Sequence, residues 1–224
     1  MKYNFDIKII NKELATEFVK TYHYSSTMPY ITKYYLGYYI DEELKSIMTL
    51  GYGTKPRHTF NNIFPNAGIL EKHNDSFILN INDVYFEIGK LCIATDLNNT
   101  TAGSQLLSAT FKWLRKNTNT QFLYTIADGM MGKAGYLYQA SNFYYSEKFK
   151  TYAFLVNDKN KVHPKTLKYF CEKDPEFRSK NNIIKIYGYM FRYLYPLNKK
   201  AHKIMMTKSS MIWSKNYPKE HDLR

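Results

Sequence analysis

The stretch FLYTIADGMMGKAGYLYQASNFYY, residues 122–145, decides how this chain is read. An apolar run from Phe122 to Ala127 ends at Asp128-Gly129, a loop with Gly132, Ala134 and Gly135 follows, and a short aromatic helix comes next. That order describes a buried strand delivering a carboxylate, Asp128, to the mouth of a pocket. Just beyond it, Tyr136, Tyr138, Gln139, Ser141, Asn142, Tyr144 and Tyr145 crowd hydrogen-bonding groups together, and each would need a partner if buried. Two readings stay open: a polar pocket wall, or an amphipathic helix whose tyrosine hydroxyls meet water.

Upstream, Val84–Ala94 (VYFEIGKLCIA) reads as the longest strand, with Glu87 and Lys90 as its charged residues and Gly89 permitting a bulge. Charges inside an apolar strand are normally paired, so a structural Glu87–Lys90 ion pair is expected ahead of a catalytic one. Small polar residues, Thr95 to Gly103, then open a helix from Ser104 to about Lys116, with Leu106, Leu107, Thr110, Phe111 and Leu114 on its apolar face. Strand, small-residue loop and helix N-terminus together make a pyrophosphate cradle, although many ordinary strand-to-helix turns share the pattern.

Nearer the start, Asn11 can cap a helix presenting Leu14, Phe18, Val19 and Tyr22 on one face. It runs into Tyr22-His23-Tyr24-Ser25-Ser26, where His23 reads either as a helix C-terminal cap or as a pocket-lining residue. Lys33–Ile40 and Leu44–Gly51 form a hairpin across Asp41-Glu42-Glu43, and residues 52–82 read as a long loop with one minor strand at Phe77–Ile81. After the opening stretch come a strand at Phe149–Val156, a helix at Pro164–Cys171, a turn at Asn181-Asn182 and a strand at Ile183–Tyr195. On that last strand Tyr187, Tyr189, Phe191, Tyr193 and Tyr195 share one face, either a core face or a base-stacking platform. The lysine-rich tail from Lys199 shows little periodicity.

The fold class is therefore α/β (α+β): a mixed, mostly antiparallel central sheet flanked by helices. A compact core is expected over residues 1–156, with a basic, aromatic-rich C-terminal extension over 157–224 packing on it. Residues 155–224 hold 16 Lys+Arg against 6 Asp+Glu, a surplus of +10, whereas residues 1–154 hold 16 against 13, or +3. That asymmetry is the footprint of a polyanion partner. No basic leader with a short apolar run and no apolar run near the length of a membrane span is present, so the expectation is a soluble, cytoplasmic protein without a membrane partner. Cys92 and Cys171 are too few for a disulfide framework, and no cluster has metal-ligand spacing, so no metal site is assigned. The oligomeric state stays open, a homodimer included.

The element order resembles the GCN5-related acetyltransferase fold, in which the loop after the central strand binds coenzyme A through Gln/Arg-x-x-Gly-x-Gly/Ala. Asn98, Thr101 and Gly103 fall at those positions, so Gly103 matches and the first two depart from the pattern. More specifically, the chain is similar to the phage Mom proteins, a divergent branch of that fold that modifies adenine in phage DNA and protects it from restriction. The similarity rests on His23-Tyr24-Ser25, on Glu87-Ile88-x-Lys90-Leu91, and on Ala127-Asp128-Gly129 with Gly135-x-x-Tyr138-Gln139-Ala140-Ser141-Asn142-Phe143-Tyr144. It extends to Tyr189-Met190-Phe191-Arg192-Tyr193.

The resemblance implies transfer of a carbamoylmethyl or other acyl-derived group to the exocyclic amine of adenine in double-stranded DNA, with acetyl-CoA or another acyl-CoA as donor. Such chemistry needs a flipped base, a group that takes the amine proton and an acid for the leaving group. Asp128, assisted by His23, is assigned as base or amine-orienting group and Tyr138 as acid. Tyr24, Ser25, Glu87, Lys90, Gln139, Ser141, Asn142 and Tyr144 are assigned to substrate. Ile93, Thr101, Ala102, Gly103 and Ser104 are assigned to the cofactor, and Arg192, Lys199, Lys200 and Lys203 to DNA. The alternatives are an acyl-CoA-dependent transferase acting on RNA, protein or a small amine, and a non-catalytic DNA-binding protein on the same fold.

Overall fold

The computed structural model describes residues 2–23, 25, 27–53, 56–65, 71–73, 76–78, 84–98, 100–158 and 160–219. The chain is a mixed α/β structure with an eight-stranded, mostly antiparallel sheet, and it divides into two compact units. Residues 1–125, 137–146 and 193–215 form the first; residues 126–136, 147–192 and 216–224 form the second. No described helix is long and apolar enough to cross a membrane.

The first unit opens with β1 (Asp6–Ile9), a strand the sequence pattern does not announce, and α1 (Lys12–Tyr22). Asn11 caps α1 as expected, its Oδ1 accepting from the Leu14 N–H at 2.8 Å. The buried face is Ala15, Phe18 and Val19, one step round from the expected set, which leaves Leu14 and Tyr22 exposed at the rim. β2 (Thr32–Ile40) and β3 (Glu43–Gly51) form the expected hairpin, but the turn has two residues, because Glu43 already pairs with Ile40. Asp41 and Glu42 take φ of 49° and 66°, the left-handed conformations of a tight turn whose twist matches the strands.

Residues 52–82 are not the loop expected. α2 (Pro56–Ile63) begins on a proline, which suits the first helical position, and it buries Phe60 and Ile63. β4 (Glu71–His73) and β5 (Ser76–Ile78) form a small separate hairpin, while residues 79–81 of the expected minor strand lie outside the described residues.

β6 (Tyr85–Ile93) runs antiparallel to β3. Its register passes from Thr49↔Lys90 to Leu50↔Ile88, so Gly89 is the extra residue of a bulge, where the sequence suggested one. A Cβ at Gly89 would sit 2.5 Å from Pro29 Cγ and 2.9 Å from Thr49 Oγ1, so only glycine lets the segment after α1 lie so close. α3 (Ala102–Asn117) then crosses to β7 (Phe122–Asp128), which pairs with β6 in parallel from Tyr85↔Phe122 to Glu87↔Tyr124. The whole expected apolar face of α3 is buried. Thr110 Oγ1 shares a 2.7 Å hydrogen bond with the Tyr38 hydroxyl, and Phe111 stacks on Tyr195 at 3.8 Å.

α4 (Tyr136–Ala140) precedes β8 (Tyr144–Val156), which begins five residues earlier than expected and belongs to the first unit as far as Ser146. Most of the second unit consists of the rest of β8, β9 (Asn160–Val162), α5 (Pro164–Lys173), α6 (Phe177–Lys180) and β10 (Ile183–Pro196) as far as Arg192. Val156, Val162 and Leu167 form a core there, packed against Phe154, Phe170, Phe177 and Ile183. In that unit Tyr187 is 73% exposed whereas Phe191 is fully buried, so the aromatic face of β10 serves neither reading throughout. Back in the first unit, Tyr193 is buried and α7 (Lys199–Lys208) follows, a helix where the tail reads as aperiodic. Asn198 caps it, accepting from the Ala201 N–H at 2.8 Å, and its buried stripe is no more than Ala201 and Met205, too sparse to stand out among lysines.

Candidate active site

Tyr85 and Glu87 are two residues apart on β6, which puts both side chains on one face of the sheet. The Tyr85 hydroxyl donates to the Tyr52 carbonyl at 3.1 Å, and a Cβ at Gly53 would overlap the Glu87 carboxylate, so the strand end and the segment beyond β3 enclose that carboxyl. Burial pushes the Glu87 carboxyl up to about 7, against a smaller opposing pull from the Tyr85 hydroxyl. A carboxyl that titrates near neutrality can accept a proton at the pH of the cell and return it.

The expected Glu87–Lys90 ion pair does not form, because the bulge at Gly89 lies between them and each side chain has its own partners. Lys90 Nζ donates to the Ser25 carbonyl at 2.9 Å, and the Lys90 backbone N–H to Thr49 Oγ1 at 2.8 Å. Burial holds the Lys90 ammonium below the usual lysine range. His23 caps α1, its backbone N–H bonding the Val19 carbonyl at 2.9 Å, and its ring Nδ1 lies 3.0 Å from both the backbone nitrogen and the carbonyl oxygen of Ser25. In one tautomer Nδ1 accepts from the Ser25 N–H, and in the other it donates to the Ser25 carbonyl. His23, Ser25 and Lys90 are thus one hydrogen-bonded run beside the central strand; Tyr24 lies outside the described residues.

The first turn of α3 contains no acidic residue, and Thr100 Oγ1 takes up the Ala102 N–H at 3.1 Å. The N–H groups that open a helix have no intrahelical acceptor, so those of Gly103 and Ser104 suit a pyrophosphate. Thr101 and Ser104 act within the turn, Ser104 Oγ donating to the Thr101 carbonyl at 3.0 Å. A Cβ at Gly103 would sit 2.7 Å from Leu137 Cδ1 and 3.4 Å from Ile93 Cδ1, so helix packing accounts for this glycine and Ile93 together.

In α4, burial raises the Tyr138 hydroxyl's pKa, with a hydrogen bond to Thr125 opposing it. Its ring packs on Phe143 and Tyr193 at 5.3 and 5.6 Å, and Gln139 Nε2 donates to the Tyr193 hydroxyl at 3.1 Å. Ser141 is buried, and its hydroxyl has no hydrogen-bond partner among the described residues. Asn142 takes φ 64°, a left-handed conformation that asparagine tolerates after a helix, and Tyr144 shares a 2.9 Å hydrogen bond with His202 Nε2. Tyr136 is exposed, so the cluster is split between water and packed partners.

Asp128 belongs to the second unit. Its Oδ1 accepts from the Met130 N–H at 3.0 Å and caps the short 3₁₀ turn Gly129–Met131. Gly129 allows a close approach of β10, since a Cβ there would lie 2.5 Å from the Tyr189 carbonyl oxygen. Arg192 is engaged by Glu147 at 2.6 Å and lies over Phe149. Lys199, Lys200 and Lys203 are exposed on α7 in the first unit. No group of three or more His, Cys, Asp or Glu among the described residues is placed to hold a metal.

Tyr85, Tyr52 and Gly53 are absent from the residues assigned from sequence. Tyr85 was readable, since it stands two residues before Glu87; the other two reach the carboxyl only through the fold.

The Mom protein family model matches residues 4–219. The methylcarbamoylase mom of Escherichia phage Mu is 23% identical over 220 residues, covering 95% of this chain and 83% of its own length. Among solved structures, a Staphylococcus aureus N-acetyltransferase covers 87% of this chain and 98% of its own at 16% identity and a TM-score of 0.44. A GNAT family acetyltransferase from Elizabethkingia anophelis with acetyl-CoA bound covers 87% and 99% at 15% identity and a TM-score of 0.41.

Proposed function

Since the chain belongs to the Mom protein family, we propose that it is a transferase that attaches a carbamoylmethyl or related acyl-derived group to the exocyclic amine of adenine in double-stranded DNA. The observation that carries the chemistry is the half-buried Glu87 carboxyl, raised to about 7 on the central strand and enclosed by Tyr85, Tyr52 and Gly53. Adenine's amine is conjugated with its ring and a poor nucleophile, so a group that removes its proton as the new bond to nitrogen forms is worth about 100-fold to 10,000-fold in rate. Glu87 takes that proton. The Ser25 carbonyl accepts from Lys90, and the His23 ring nitrogen lies 3.0 Å from the Ser25 backbone, so this run is tied to the central strand at Lys90. Tyr138, kept protonated by burial, is the assigned donor to the leaving group. An acyl-CoA held at the N-terminus of α3, with the Gly103 and Ser104 N–H groups on its pyrophosphate, would supply an acyl group and leave as the free thiol with the Tyr138 proton. A carbamoylmethyl group, joined to the amine through its CH2 carbon, would take its amide nitrogen from a second donor. The +10 surplus of residues 155–224 supports the polyanionic substrate.

Plasmid recovered from expressing cells tests the reading simply. Resistance to restriction endonucleases whose sites contain adenine, with normal cutting at sites of G and C alone, is the expected result. Normal cutting at both kinds of site, from cells that hold the soluble protein, would contradict it.

A further inference from the structure

A cavity of about 400 Å³ lies within the first unit, between the C-terminal half of α3, the start of β8, the end of β10 and the first residues of α7. Arg115, Lys199, His202 and Lys215 line it together with Asn142 and Tyr144, and no carboxylate is among its lining residues. Four basic side chains from three separate stretches of chain therefore converge on one concavity, with no counter-charge lining it among the described residues. It opens widely to solvent, so a group at the edge of a larger ligand can enter it.

Three of the four basic groups are held in place by hydrogen bonds. Arg115 Nε donates to the Leu197 carbonyl at 2.6 Å, which leaves its terminal guanidinium nitrogens for other acceptors. Lys215 Nζ donates to Asn142 Oδ1 at 3.0 Å and to the Asn142 carbonyl at 3.2 Å, and sits 4.7 Å from the centre of the Tyr144 ring. Those neutral partners orient the ammonium but do not balance it, and partial burial lowers its pKa. The Tyr144 hydroxyl and His202 Nε2 pair at 2.9 Å across the same wall. Lys199 is the first residue of α7, directly after the Asn198 cap, so the positive end of that ten-residue helix adds to the field.

We propose that this cavity binds a phosphate of the nucleic-acid substrate, seating the DNA backbone on Arg115, Lys199 and Lys215, with Tyr144 and His202 forming its wall. A phosphodiester supplies the missing counter-charge and the acceptor oxygens that guanidinium and ammonium groups require. The proposal rests on DNA being the substrate and assigns the contact to a built concavity, not to the lysine-rich tail as a whole.

The experiment measures affinity of a duplex oligodeoxynucleotide against salt for the wild type, Lys199→Gln, the pair Lys199→Gln with Lys215→Gln, and a control pair of exposed lysines on α1, Lys12→Gln with Lys20→Gln. The cavity pair is expected to lose tenfold or more in affinity, with a salt slope smaller by about two contacts at roughly 0.9 each. Lys199→Gln alone, exposed at the helix start and safe for folding, should lose about one contact at the same roughly 0.9, and the control pair nothing comparable. Cavity variants that bind with wild-type affinity and slope overturn the cavity assignment while leaving the DNA reading intact. A wild type that does not bind DNA at all removes both. Equal losses in the control pair would show a diffuse charge effect and also overturn the assignment.

Discussion

Glu87→Gln separates the cost of the buried carboxylate from its use. In the folded chain the carboxyl titrates at about 7 instead of the ordinary 4.5, because burial disfavours the ionised form. At about 1.4 kcal/mol per unit, a shift of that size corresponds to roughly 3 kcal/mol, and partial solvent access lowers the usable figure to about 2–3 kcal/mol. The folded state holds the proton more tightly than the unfolded state, so the penalty is absent below the unfolded value. It grows as pH rises from about 4.5 to about 7 and is complete above that. Glutamine keeps the size of the protonated acid and carries no charge. Urea unfolding of wild type and Glu87→Gln should therefore nearly coincide at pH 4.5, and the variant should be the more stable by about 2–3 kcal/mol at pH 8. Transfer should fall in the same variant by about 100-fold or more, and wild-type turnover should rise with pH through about 7 as the base becomes available. A stability difference independent of pH would refute the argument that a desolvated carboxyl is stored here.

Asp128→Asn keeps an oxygen for the Met130 N–H, so folding and most transfer activity should persist; a fall matching that of Glu87→Gln in a kinetic assay would return the base to Asp128. Tyr138→Phe removes the hydroxyl that bonds Thr125, which should cost about 1 kcal/mol in urea unfolding, and lower kcat with little change in KM if the hydroxyl serves the leaving group. Gly89→Ala drives a Cβ into Pro29 and Thr49 and should destabilise by about 1–3 kcal/mol, visible as a lower melting temperature.

What was legible in the sequence was local. The hairpin of β2 and β3, the Asn11 cap and the apolar face of α3 follow from periodicity and capping within a few residues, and tertiary packing keeps them, with the hairpin turn shortened from three residues to two. The bulge at Gly89 was readable because glycine inside an apolar strand marks a bulge or a close backbone approach, and here it serves both. α2 was missed although Pro56 marked its start, because Pro, Arg, His and Asn outweighed a short apolar face of Phe60 and Ile63. α7 was missed for a similar reason, with Ala201 and Met205 its only buried residues. Two charges on one strand suggested that Glu87 and Lys90 would pair; their actual neighbours, Tyr52, Gly53 and Ser25, come from segments that only the sheet brings near. The basic cavity was out of reach of any sequence window, since Arg115, Asn142, Lys199 and Lys215 lie far apart in the chain.

The central claim, group transfer to adenine in DNA, is tested most directly by mass spectrometry of nucleosides. Plasmid co-expressed with the protein is digested to nucleosides, alongside plasmid from cells making Glu87→Gln. The account predicts a mass-shifted deoxyadenosine from the wild type and its near absence from the variant at equal levels of soluble protein. Four unmodified deoxynucleosides from cells containing soluble wild-type protein would contradict it.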